Sequence, residues 1–149
     1  MTSNAPPTVH DTSEDRQLAL RVVTMPRDTN QYGTIFGGVI LSYVDQAGFV
    51  EARRHGQHRW VTASVDRVDF RAPVLVGDTV EFWTRTTRIG TTSVTVHVSV
   101  RAERFASGEE VAVTSATLTL VAVDGRGRPI PITEPPTVGP GASPVEVDP

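Results

Sequence analysis

The stretch NQYGTIFGGVILSYVDQAGF, Asn30 to Phe49, places an asparagine and two adjacent glycines ahead of an apolar run that carries one carboxylate. Val39, Ile40, Leu41, Val44, Ala47 and Phe49 are spread nearly all round a helical wheel, which predicts a covered helix running from the 30s to Arg54. Asp45 shares a stripe of that helix with Leu41, Gly48, Phe49 and Ala52. A buried carboxylate is costly unless it is paired or used, so Asp45 is expected either to meet an arginine or to do chemistry. Gly37 and Gly38 stand where the helix begins. With no Cβ in the way, their N–H groups can face a ligand, and the helix dipole favours negative oxygen there. The same glycines would also suit close packing of helix on sheet.

Outside this stretch the pattern changes. QLALRVV before it reads as a short strand, and everything after Trp60 alternates with period two. In SVTVHVSVRA, Val94, Val96, Val98, Val100 and Ala102 share one face, while Thr95, His97, Ser99 and Arg101 share the other. Similar runs are WVTASVDRVDF, DTVEFWTRTTRI and EEVAVTSATLTLVAV, punctuated by the turn signals VGD, RIGTT and ASGEE. One strand, one helix and a meander of four strands predict an α+β fold in which an antiparallel sheet wraps a single central helix. The small residues Ser115, Ala116, Thr117 and Ala122 would let the helix approach that sheet closely.

Composition narrows the class. A chain of 149 residues, 38% of them hydrophobic, holds one ordinary core and so one domain. The polar segment 1–15 and the proline- and glycine-rich tail 133–149 are expected to be disordered, leaving 16–132 as the folded unit. With no cysteine there is no disulfide, thiolate metal site or cysteine nucleophile. No segment has the pattern of a secretory signal or the length of a membrane span, so a cytoplasmic protein without a membrane partner is expected. The net charge of −3 argues against a nucleic-acid partner. All 14 basic residues are arginine, whose planar fork suits phosphate. Arg88 beside Gly90, Thr91, Thr92 and Ser93 offers a guanidinium, hydroxyls and backbone N–H groups to a phosphate, although a bare hairpin would look the same. His55 and His58 lack a third ligand for a metal, and His97 is expected at solvent or an interface.

MPRDTNQYGTIFGGVILSYVDQA, WVTASVDRVDFRAPVLVGDTV and RIGTTSVTVHVSV together resemble the acyl-CoA hydrolase family of hotdog-fold thioesterases, over about Leu18 to Ile132. The family pattern is met by Asn30, Gly33, Gly37, Gly38 and Asp45, by Val61 and Thr62, by Phe70 to Val74 with Gly77 and Asp78, and by Gly90 to Ser93. Ala72 departs from it, standing where many relatives carry a basic residue that could contact CoA. The resemblance implies a homo-oligomer, a dimer at least and commonly a trimer of dimers, which hydrolyses acyl-CoA to free acid and CoA. It places each active site at a dimer interface, with Asp45 from one chain and Asn30 from the other.

Thioester hydrolysis needs an activated water and a polarised carbonyl but no covalent nucleophile. Asp45 suits a general base or a nucleophile, Asn30 would orient the water or the carbonyl, and the Gly38 N–H would receive the oxyanion. Gly37, Thr62, Arg88, Gly90, Thr91, Thr92 and Ser93 are the candidate substrate contacts. No cofactor is called for, CoA being part of substrate and product. Two other readings stay open: a hotdog hydratase or dehydratase, and a non-catalytic module that binds acyl-CoA.

Overall fold

The computed structural model describes residues 15–140. Strand β1 (Gln17–Val23) leads through a loop to helix α1 (Gly37–Ala52), which ends in a 3-10 turn at Arg53–His55. Strands β2 (Arg59–Asp66), β3 (Thr79–Ile89), β4 (Ser93–Glu103) and β5 (Glu110–Val123) follow. They form one antiparallel sheet in the order β1-β3-β4-β5-β2. Only β3, β4 and β5 make the expected meander. β2 leaves its neighbour in sequence and pairs with β5, and WVTASVDRVDF stops being a strand at Asp66.

The sheet wraps α1 as the alternation implied. Val94, Val96, Val98, Val100 and Ala102 are buried, while the residues between them face outward. On the helix, Ile40, Val44, Ala47, Gly48, Glu51 and Ala52 form the covered stripe, at the 3–4 residue spacing of one helical face. Gly48 is what permits the close approach, since a Cβ there would meet Leu118 Cδ2 at 3.2 Å and Leu120 Cδ1 at 3.5 Å. Of the four small strand residues, Ala116 and Ala122 are buried, whereas Ser115 and Thr117 remain half-buried on alternate positions.

Two loops are tied down by carboxylates. Asp78 is buried, accepts the Leu75 N–H at 2.9 Å and pairs with Arg104 Nη1 at 2.6 Å, which joins the turn before β3 to the β4–β5 hairpin. Gly77 permits that turn through its φ of +86°. Asp124 Oδ1 accepts the N–H groups of Arg128 and Arg126, and these bonds, the Arg128 bond first, hold its carboxyl below the usual carboxylate range.

The first part of the tail does not hang free. His58 is buried, donates from Nε2 to the Ile132 carbonyl and pairs through Nδ1 with the Thr137 hydroxyl. The Arg59 N–H donates to that same hydroxyl, and the Thr137 N–H donates to the Gln57 carbonyl. Residues 133–140 thus lie against the segment that enters β2. The rest of the tail and the polar segment up to residue 14 lie outside the described residues.

Candidate active site

Asp45 is on the face of α1 that the sheet leaves open, which corrects the expectation of a buried carboxylate. The apolar residues round the helix misled: Leu41 and Phe49, on the same side as Asp45, are 37% and 39% exposed. Among the described residues no arginine lies within ion-pair distance of Asp45. Its partner is Thr62, whose hydroxyl donates to Asp45 Oδ1 at 2.5 Å from β2. Thr62, expected as a substrate contact, is therefore placed to hold the carboxylate. Asp45 and Thr62, with Gln46, Phe49, Trp60, Val61 and Leu120, line a cavity of about 450 Å³.

Asn30 shapes the loop that feeds the helix. Its Oδ1 accepts the N–H groups of Tyr32 at 2.9 Å and Thr34 at 3.1 Å, and its Nδ2 donates to Thr34 Oγ1 at 2.8 Å. Gly33 completes that turn with φ +83°. The chain then enters α1 at Phe36 with no side-chain cap and no acidic residue in the first turn. First-turn N–H groups have no intrahelical acceptor, so those at Gly37 and Gly38 are open to an outside oxygen. A Cβ on Gly38 would meet nothing within 4 Å, whereas one on Gly37 would meet the Phe70 ring at 3.5 Å. Gly37, Ile40, Phe70, Ala72 and Pro73 line a second cavity of about 330 Å³ at this end. Gly38 and Asp45 are seven residues apart, roughly 10 Å along the helix axis.

The turn of the β3–β4 hairpin lines neither cavity. The Gly90 N–H donates to the Ser93 carbonyl at 2.7 Å, and the Thr91 and Thr92 carbonyls accept the N–H groups of Ile132 and Ala122. What this turn can offer a ligand is the exposed Arg88 and the hydroxyls of Thr91, Thr92 and Ser93. Among the described residues, no three His, Cys, Asp or Glu side chains converge as a metal site would need.

The carboxylate buried in the helix is Glu51, which sequence reasoning missed. It is 6% exposed, accepts the hydroxyls of Thr84 at 3.0 Å and Thr86 at 3.1 Å, and pairs with Arg54 at 3.4 Å. His55 adds its ring to Thr86 at 2.8 Å. The spacing 40, 44, 47, 51 was the available signal, because it puts Glu51 on the stripe of Ile40 and Val44.

The family model for the thioesterase superfamily matches residues 32–105. The chain is 38% identical over 128 residues to the acyl-CoA thioester hydrolase YciA of Salmonella typhimurium, covering 84% of this chain and 96% of that one. It belongs to the acyl-CoA thioester hydrolase family of hotdog-fold thioesterases. A hexameric hotdog fold thioesterase of Campylobacter jejuni superposes with a TM-score of 0.75 at 42% identity, over 78% of this chain and 90% of that one. A Bacillus subtilis protein named as an acyl-CoA thioester hydrolase is 40% identical over 107 residues, 72% of this chain, and this chain spans 62% of its length. No described helix of this family member is long and apolar enough to cross a membrane.

Proposed function

We propose that the chain hydrolyses the thioester of acyl-CoA to a carboxylic acid and CoA, with Asp45 as general base in a site shared between two copies. The family is one of thioester hydrolases, and the chain is an enzyme of that class. The observation that carries the finer reading is the solvent-facing Asp45, fixed through Oδ1 by Thr62 at the mouth of an apolar cavity. Phe49, Trp60, Val61 and Leu120 give that cavity the apolar lining an acyl chain requires.

In this mechanism Asp45 takes a proton from water as the water oxygen attacks the thioester carbonyl. The oxyanion is received by the Gly38 N–H with Gly37 beside it. When the tetrahedral intermediate collapses, the CoA sulfur leaves and takes up the proton. Asn30 keeps one Nδ2 hydrogen beyond its bond to Thr34, enough to orient the water or the carbonyl. CoA enters and leaves as part of the substrate, and no resident cofactor takes part.

The 10 Å between Gly38 and Asp45 is too great for one helix to serve one carbonyl. A second copy resolves this. β2 is an edge strand with Val61 and Val65 47% and 46% exposed, and Val61 shares a cavity wall with the exposed Phe49 of α1. An apolar edge of this kind is a surface that a lone soluble chain avoids leaving in water. A dimer closed across it is the assembly this reading requires, and a trimer of such dimers is the larger assembly we propose.

The test is to unfold and refold Asn30→Ala and Asp45→Asn chains together and measure thiol release from acyl-CoA. Each variant refolded alone is expected to be nearly inactive. The mixture should recover roughly a quarter of wild-type activity, since half the dimers are mixed and each holds one intact site. No recovery, with mixed dimers demonstrated by mass spectrometry, would overturn the shared site.

A further inference from the structure

The outer face of the sheet, opposite α1, carries a concavity of about 660 Å³ that shares no lining residue with the Asp45 cavity. Among the described residues its lining includes Arg16, Arg71, Arg85 and Arg101 with Ser99 and Ser115, and no carboxylate. We propose that this groove binds a phosphate-bearing anion of about diphosphate size, a proposal that does not rest on the thioesterase reading.

The sheet register explains how the groove arises. Arg85 lies opposite His97, Ser99 opposite Ser115, and Arg101 opposite Ala112. Directly opposed residues stand about 5 Å apart on one face, so small side chains form the floor between two long arginines. The register shift between Val100 and Arg101 skips Val113, which turns both Ala112 and Ser115 outward and widens that floor. Arg71 joins from the side, where its N–H donates to the Val113 carbonyl.

Glu81 stands across from Arg101 in the register, but the two form no ion pair. Among the described residues, none of Arg71, Arg85 and Arg101 has a carboxylate within ion-pair distance. Among the described residues, the Arg85 Nε is shut off from solvent with no acceptor. A buried N–H without a partner is destabilising, and an oxygen arriving in the groove would relieve it. Arg16 is held nearby with its guanidinium 4.8 Å from the centre of the Trp83 ring. Several guanidinium forks above serine hydroxyls are the donor set that recognises phosphate.

The size and the borders point to a small ligand rather than a nucleic-acid strand. The volume falls within the range of small-molecule pockets. Along the same face Glu81 lies opposite Arg101, and Glu103 opposite Glu110, so a polyanion running past Arg101 would meet three carboxylates. Such a ligand could be the nucleotide end of CoA or a free phosphate compound, and the chemistry of recognition is the same.

The experiment is calorimetric titration of the full chain with inorganic pyrophosphate at low salt, alongside the Arg85→Gln/Arg101→Gln double variant and Arg88→Ala. Wild type is expected to bind, and the double variant to bind at least roughly tenfold more weakly while melting at the wild-type temperature. Arg71→Gln, in a loop, supplies the same comparison should the double variant fold poorly. Competition by CoA assigns the groove to the nucleotide end of the substrate, and binding undisturbed by CoA assigns it to a free phosphate compound; either upholds the site. No binding by wild type up to millimolar pyrophosphate would overturn it, as would binding lost in Arg88→Ala but retained in the double variant.

Discussion

The Thr62 hydroxyl donates to Asp45 Oδ1 at 2.5 Å, linking the exposed edge strand of the sheet to the open face of the helix. Both residues line one cavity, so the bond fixes the direction in which the Asp45 carboxylate faces into it. Thr62→Val keeps the shape and removes the hydroxyl. It is expected to lower kcat by roughly tenfold with little change in KM, because a general base gains from exact placement mainly in the transition state. Thr62→Ser should restore most of the rate. A variant with unchanged kcat would show that Asp45 holds its position without Thr62.

Asp78 is enclosed by the Leu75 N–H and the Arg104 guanidinium, so its removal leaves a partly buried cation without its counter-ion, held only by the Pro73 carbonyl at 2.9 Å. Asp78→Ala is expected to destabilise the fold by about 3 kcal/mol in denaturant titration. A loss under about 0.5 kcal/mol, the size of an ordinary surface change, would show that the pair does not hold the two loops together.

Ending the chain after Thr133 removes the hydroxyl shared by His58 Nδ1 and the Arg59 N–H, and the N–H that reaches the Gln57 carbonyl. His58 is buried, so its ring nitrogen would lose a partner it cannot replace freely from water. The truncated chain should melt several degrees lower than the full one. Coincident melting curves would mean that this contact is not kept in solution.

At Asp124 the folded-state carboxyl titrates below its unfolded value because the Arg128 and Arg126 N–H groups favour the charged form. A depressed folded value means that the stabilisation is complete above the unfolded value, near pH 4, and is lost as pH falls through the folded one. In an NMR titration, the Arg126 and Arg128 amide shifts should move together with a midpoint below about 3.9. A midpoint at or above that value would contradict the turn geometry.

Local periodicity made much of this molecule legible in advance. Ser93–Glu103 follows its alternation, Gln17–Val23 is the short strand expected there, and the helix lies where the apolar run put it. What the sequence hid is long-range. The helix is apolar on most sides, so although the spacing marked an Ile40–Val44–Glu51 stripe, it did not decide that the sheet would cover that side and leave the Leu41–Asp45–Phe49 side open. The pairing of β2 with β5, which brings Thr62 to Asp45, depends on a crossover that no short pattern encodes. The arginine groove was hidden for the same reason: Arg85, Ser99 and Ser115 become neighbours only through the register of three strands.

The most direct measurement is thiol release from saturating acyl-CoA by Asp45→Asn, compared with wild type at equal folded concentration. The substitution keeps the acceptor for Thr62 and removes the base, so kcat is expected to fall by roughly 10²–10⁴ while the melting temperature is unchanged. Turnover near the wild-type rate by the folded variant would contradict the assignment of Asp45 as the general base.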